Sequence, residues 1–92
     1  MANDLTRAGR LTIDTAATIA ATGTQFTPGL MIYAAPAAAV GAVTLQDGAG
    51  NLITTLRAPT SGSVTVDFGG IGFNGFIVSA ITASSLLTIL QR

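Results

Sequence analysis

Apolar side chains recur at every second position along much of the chain, and this periodicity constrains the fold more than any other feature. In the segment Asn51–Arg57, for example, Leu52, Thr54 and Leu56 fall on one face of an extended backbone. Such alternation predicts a strand, whereas an amphipathic helix would repeat about every 3.6 residues. Thr, Val and Ile are frequent in these runs, and Gly or Pro separates them, which is typical of short strands joined by turns.

The pattern predicts six or seven short strands in one domain. The expected strands are Arg10–Asp14, Leu30–Ala35, Val40–Gln46, Asn51–Arg57, Ser63–Phe68, Phe76–Thr82 and Leu86–Gln91. Short strands at this spacing favour an all-β fold, a small antiparallel β-sandwich or jelly-roll-like domain. We expect this domain to occupy residues 11–92, after a polar N-terminal arm formed by residues 1–10.

The scarcity of charge indicates that other subunits cover much of the surface. Hydrophobic residues make up 49% of the chain and charged residues only 9%, whereas a small soluble domain usually carries charge on about a quarter to a third of its surface. The formal net charge is zero, which argues against nucleic acid because phosphate binding needs several unopposed Lys or Arg side chains. We therefore expect a protein assembly without nucleic acid.

Two long uncharged stretches, Thr15–Gln46 and Phe68–Gln91, raise the alternative of a small membrane protein. Both stretches are interrupted by Gly and by polar side chains, so a β protein rich in small residues and without membrane contact is favoured. The first ten residues precede no continuous apolar segment, so they do not resemble a signal peptide. Synthesis in the cytoplasm is the expectation.

The residue types that most enzymes use for acid–base or nucleophilic chemistry are missing from the sequence. The chain contains no His, Cys, Lys or Glu, and the many Ser and Thr hydroxyls therefore lack an ordinary general base. Without cysteine there is neither a disulfide nor a thiolate metal site. We expect no enzymatic activity, no small-molecule substrate, no cofactor and no metal.

One enzyme class stays open as an alternative, the retroviral-type aspartic protease. Asp14-Thr15-Ala16 follows an apolar strand, and the glycine-rich residues 69–78 could form a flap. Two subunits would each supply one Asp, and the pair would share a proton because two adjacent carboxylates cannot both ionise. The candidate flap lies too late in the chain for that arrangement, so a structural position for Asp14 is favoured.

The residues DGAGN, between two apolar runs, predict the turn of a β-hairpin. Asp47 and Asn51 can hydrogen-bond nearby backbone amides, and Gly48 and Gly50 can adopt a positive φ. A calcium site at Asp47 and Asn51 is the functional alternative. One carboxylate falls short of the six to eight oxygen ligands that the ion takes, so we interpret all four residues as structural.

A second glycine-rich segment, residues 70–75, formally matches the dinucleotide-binding pattern G-x-G-x-x-G. That motif needs a helix after the glycines and an acidic residue about 20 positions later. A strand pattern follows instead, and no acid occurs after Asp67. We interpret this segment as a hairpin or bulged loop. Its structural glycines are Gly69, Gly70, Gly72 and Gly75.

A series of turn and strand-end residues follows in order along the second half of the chain, Ala42–Arg92. They are Asp47-Gly48, Ala58-Pro59, Val64, Asp67-Phe68-Gly69-Gly70, Phe73 and Gly75. This order resembles that of small all-β virion proteins of tailed bacteriophages, in which a D-G turn, a small-residue link, a D-F-G-G strand end and an F…G turn precede two last strands. The first forty residues match no pattern of that family.

The resemblance implies a capsid cement or decoration protein, synthesised in the host cytoplasm and located on the outer capsid surface of the virion. It further implies a homo-oligomer, with a trimer expected, and the major capsid protein as partner. Arg7 and Arg10 of the arm are the candidate capsid contacts, since both could bind carboxylates of a neighbouring subunit. The alternatives are a disordered terminus for the arm and, for the protein, a head fibre, neck or baseplate component.

Overall fold

The computed structural model describes Asn3 and residues 9–91, and this part of the chain contains strands and no helix. The strands are β1 (Arg10–Ile13), β2 (Ala17–Phe26), β3 (Leu30–Ala34), β4 (Gly41–Gln46), β5 (Leu52–Ala58), β6 (Ser63–Asp67), β7 (Phe73–Ile81) and β8 (Leu86–Leu90). All of their pairings are antiparallel. The all-β prediction is confirmed.

The strands form two sheets of four strands each. Sheet I has the order β1-β8-β3-β6, and sheet II has the order β2-β7-β4-β5. Buried side chains from both sheets join in one hydrophobic cluster. The architecture is therefore sandwich-like, with the core between the sheets.

The strand count of six to seven was wrong, because the described residues form eight strands and the prediction had omitted β2. The sequence of β2, ATIAATGTQF, consists largely of Ala and Thr, so large apolar side chains do not alternate in it. Gly23 in its middle has a φ of 95°. Pairing with β7 shifts register between Thr18 and Ala20 and again before Gln25. This strand owes its extended form to pairing with β7, which the local sequence pattern does not encode.

The core is built around two large aromatic side chains, one from each sheet. Tyr33 of β3 and Phe76 of β7 are both 0% exposed, and the ring of Phe76 lies 4.9 Å from that of Phe26, centroid to centroid. Around them lie the buried side chains of Ile13, Met31, Leu87 and Ile89 from sheet I and of Val43, Leu45 and Val78 from sheet II. Full burial of a side chain of this size contributes about 1.5 to 3 kcal/mol.

Candidate interaction surfaces

Hydrogen bonds between Asp47 and Asn51 stabilise the hairpin turn between β4 and β5. Asp47 Oδ1 accepts the N–H groups of Ala49 (3.0 Å) and Asn51 (2.9 Å), and Asp47 Oδ2 accepts the side-chain amide of Asn51 (3.2 Å). Hydrogen bonds from the Asn51 backbone and side chain hold the pKa of Asp47 below its ordinary value of 3.8. Both carboxylate oxygens are thus used within the turn.

The two glycines of this turn serve different purposes. Gly50 has a φ of 88° with open space beside it, so it supplies the left-handed backbone of the turn. Gly48 instead lies against β2 and β7. Its N–H donates to Asn74 O (2.9 Å), and its carbonyl accepts the Thr22 hydroxyl (2.7 Å). A Cβ on Gly48 would lie 2.9 Å from Asn74 O, too close for a real side chain.

The glycine-rich segment between β6 and β7 is a loop that leads into a strand. Asp67 Oδ1 accepts the N–H of Gly69 (2.7 Å), and Gly69 has a φ of 60°. Nothing lies within 4 Å of a Cβ placed on Gly70, whereas one on Gly72 would collide with the Gln25 side chain. β7, rather than a helix, begins directly after Gly72.

Gly75 lies within β7 and is the most constrained of these glycines. Its φ is 78°, and a Cβ there would lie 2.7 Å from the Cα of Gly48. The Asn74 side chain accepts the N–H of Gly23 on β2 (2.6 Å). The hairpin turn and the irregular parts of β2 and β7 therefore form one contact region, in which Gly48 and Gly75 allow close approach of two backbones.

The candidate capsid contacts fall at the N-terminal part of the chain. Arg7 lies outside the described residues, together with most of the arm. Arg10 is described as the exposed first residue of β1, opposite Leu90 of β8. Asn3 binds the far end of β1, because its Oδ1 accepts the N–H groups of Asp14 (2.8 Å) and Thr15 (3.0 Å).

Asp14, the residue on which the protease alternative depends, follows β1 directly. Its Oδ1 accepts the hydroxyl of Thr15 (3.1 Å), and both residues line a shallow depression together with Ser84 and Ser85. Within the part of the chain that the structure describes, no three His, Cys, Asp or Glu side chains lie close enough together to hold a metal ion.

A partly exposed, largely apolar surface lies on one side of the sandwich, where the sequence pattern had not predicted one. The outward side of sheet I, here called the sheet I face, has a centre formed by Leu30, Ile32 and Ala34 of β3 and by Leu86, Thr88 and Leu90 of β8. Each of these residues remains partly exposed. The signal was present in the runs LMIYA and LLTIL, which are apolar on both sides of the strand.

The outward side of sheet II is more polar. Its central strand β4 presents Ala42, Thr44 and Gln46, which pair with Arg57, Thr55 and Leu52 of β5. Large apolar side chains that are well exposed elsewhere lie singly, in loops or at a strand end. They are Val40 (69% exposed), Leu52 (65%) and Ile71 (57%).

Comparison with known proteins finds no family model, no curated protein and no solved structure that matches the chain. In the described part of the chain, no helix has the length and apolarity needed to cross a membrane.

Proposed function

We propose that this chain is a bacteriophage virion structural protein, a cement or decoration protein that binds the major capsid protein on the outer capsid as a homo-oligomer. The observation that carries this proposal is the strand order. β1 pairs with β8, β2 with β7, β3 with β6, and β4 with β5.

This nested order supports a jelly-roll assignment within the sandwich-like fold. Rolling up a long antiparallel hairpin places each strand beside its counterpart from the other arm of that hairpin, and β8–β3 and β7–β4 pairings then complete the two sheets. Jelly rolls recur in viral capsid domains and in lectins. Since one fold serves many functions, the choice among them depends on the surface.

The surface supports assembly more than it supports chemistry. Charged residues are 9% of the chain, and the sheet I face presents Leu30, Ile32 and Leu90 outward. Surfaces of this kind suit symmetric packing in an oligomer. The resemblance to virion proteins implies a trimer.

The N-terminal arm is the proposed contact with the capsid. Asn3 is hydrogen-bonded to the end of β1 at Asp14 and Thr15, while Arg10 starts the same strand at its opposite end. The guanidinium groups of Arg7 and Arg10 would bind carboxylates of the capsid subunit in bidentate fashion.

The first test is the copy number of the protein in purified phage particles, measured by quantitative mass spectrometry against the major capsid protein. A cement protein that follows the symmetry of the capsid is expected in many copies per particle, at a fixed ratio to the capsid subunit. A few copies per particle would instead indicate a neck, baseplate or head-fibre component. Absence from the particles would contradict a virion role.

The second test is binding to particles stripped of their native copy. Deletion of residues 1–9, or the double change Arg7→Ala and Arg10→Ala, should lower occupancy, and the effect should depend on salt. Arg57→Ala is the matched control, since Arg57 is an exposed arginine on β5. If the truncated protein binds as tightly as the full chain, the arm does not form the capsid contact.

A further inference from the structure

One row of residues across the sheet I face carries opposite charges at its two ends. Arg10 pairs with Leu90, Leu90 with Leu30, and Leu30 with Asp67. Arg10 lies on the edge strand β1 and Asp67 on the opposite edge strand β6. Neighbouring strands are about 4.8 Å apart, so two leucines separate the cation from the anion by about 14 Å.

The arrangement around this row is that of an interface. Leu30, Ile32 and Leu90 lie on the two inner strands, where Thr88 is the polar exception, and hydroxyl or charged residues occupy the edge strands. A shallow depression at this end of the face is lined by Leu30, Asp67, Leu90 and Gln91. An apolar centre within a polar rim is the common anatomy of a protein–protein interface.

The charge pattern is self-complementary under only one orientation of a face-to-face pair. A two-fold axis that lies in the interface and runs parallel to the strands places β1 of one copy opposite β6 of the other. Each row of residues then faces the same row of the second copy. Arg10 of each copy then faces Asp67 of the other, and the leucines meet between them. A two-fold axis that lies in the interface but runs perpendicular to the strands would place β1 opposite β1. Arg10 of one copy would then face Arg10 of the other.

We propose that the sheet I face binds the same face of a second copy of this chain about a two-fold axis parallel to the strands, with two Arg10–Asp67 ion pairs flanking a Leu30, Ile32 and Leu90 core. The Asp67 carboxylate is already oriented by the N–H of Gly69 (2.7 Å). This inference goes beyond the virion proposal and does not depend on it, but both use Arg10. An Arg10 that pairs with Asp67 of a second copy does not bind the capsid, and Arg7 is then the remaining capsid contact of the arm. It also differs from the trimer that the family resemblance implies.

The size of the face sets the expected strength. Four strands of about five residues cover about 20 Å by 17 Å, or about 340 Å² on each copy, which is below the size of a stable interface and in the range of weak, transient ones. We therefore expect a dissociation constant on the order of 100 micromolar. The Arg10–Asp67 pairs fix the orientation and partner choice more than they add affinity.

Charge reversal with complementation tests the proposal by sedimentation equilibrium. Arg10→Asp alone sets Asp opposite Asp67 at both ends of the dimer, and Asp67→Arg alone sets Arg opposite Arg10, so each variant should dimerise at least about tenfold more weakly. A mixture of the two variants regains both opposite-charge pairs and should form a heterodimer of nearly wild-type affinity. Arg57→Asp, on sheet II, should leave association unchanged.

A second pair of variants tests the same face without changing Arg10 or Asp67, in case the charge-reversal variants fold poorly. Ile32→Lys places a charge at the centre of the face and should abolish dimerisation, while Thr44→Lys at the centre of the other outer face should not. Circular dichroism verifies that each variant keeps its β spectrum. Wild-type dimers, or hexamers that contain this dimer, agree with the proposal. A wild-type monomer or trimer, single variants that associate as wild type, or a mixture that fails to recover would overturn it.

Discussion

Sheet I and sheet II enclose the same core, yet their ladders differ. In sheet I, the β1–β8, β8–β3 and β3–β6 ladders run in continuous register. In sheet II, register shifts interrupt the pairing of β2 with β7, of β4 with β5 and of β4 with β7. A continuous ladder leaves a regular outer face that a second copy can match, whereas shifts bend strands and direct side chains locally.

The irregularities of sheet II have a local cause. The β4–β5 turn lies on β2 and β7, where Gly48 and Gly75 meet and where Thr22 and Asn74 bond the turn backbone. Sheet II therefore uses its polar groups to hold its own loops. Sheet I has most of its outward polar residues on the edge strands, with Thr88 on an inner strand as an exception, so a largely apolar centre remains for association.

The largest expected effect comes from the glycine contact in sheet II. Gly75→Val should destabilise the protein by about 3 kcal/mol or more, because a β-branched residue is strained at positive φ and its Cβ would overlap Gly48. Gly70→Val is the matched control, with open space and an ordinary φ, and should cost under about 0.5 kcal/mol. Equal unfolding free energies in urea for the two variants would contradict the account.

Substitutions of the two turn glycines distinguish a steric contact, at Gly48, from a left-handed backbone, at Gly50. Gly48→Ala should cost about 2 kcal/mol, since the backbones of Thr22 and Asn74 block the new methyl group. Gly50→Ala should cost about 1 kcal/mol from its left-handed φ alone. Gly50→Asn should recover part of that loss because Asn tolerates this region, while Gly48→Asn should not. Thermal and urea unfolding would both report the difference.

A contact between the sheets offers a sharper test. Tyr33 of sheet I is fully buried, and its hydroxyl has no hydrogen-bond partner among the described residues. A Cβ on Gly41 of sheet II would lie 2.5 Å from that hydroxyl. Tyr33→Phe should therefore be neutral or slightly stabilising. Gly41→Ala should cost less in the Phe background, with a coupling energy of about 1 kcal/mol in a double-mutant cycle. Additive effects would show that the hydroxyl does not limit the approach.

The smallest effect concerns pH. Because the folded-state pKa of Asp47 is depressed, its ionised form adds stability above the ordinary pKa of 3.8, and that contribution is lost as the pH falls through the lower folded value. Melting temperatures of the wild type and of Asp47→Asn should differ slightly near neutrality and converge in acid. A difference for Asp47→Asn that is independent of pH would contradict the assigned hydrogen bonds.

How well the sequence predicted each strand depends on its local pattern rather than on its sheet. Period-two alternation located seven of the eight described strands, in both sheets, because local pattern and tertiary pairing agree in them, although β7 begins three residues earlier than predicted, at Phe73. It missed β2, because Ala, Thr and Gly in that segment give no periodic signal and the strand depends on pairing with β7. Strand order cannot be read from local periodicity, since it depends on which distant strands pair.

Among the candidate site residues, roles that depend on neighbours in sequence could be predicted, and roles that depend on distant segments could not. Turn chemistry indicated the roles of Asp47 and Gly50 correctly as to geometry, because both act on neighbouring residues. Gly48 and Gly75 had appeared as turn glycines, but their constraint is a contact between segments 27 positions apart, visible only in the fold. The sheet I face could not be located from the sequence, because LMIYA and LLTIL carry large apolar side chains on both sides of the strand and do not show which side is buried.

The central claim is that sheet I, and not sheet II, forms the association surface, and thiol labelling tests it most directly. The chain has no native cysteine, so Thr88→Cys and Thr44→Cys place single thiols at matched, partly exposed positions on inner strands of the two outer faces. Labelling of Thr88→Cys should slow several-fold as the protein concentration rises through the dissociation constant, while labelling of Thr44→Cys should stay constant. Equal rates at all concentrations, or protection of Thr44→Cys alone, would contradict the account.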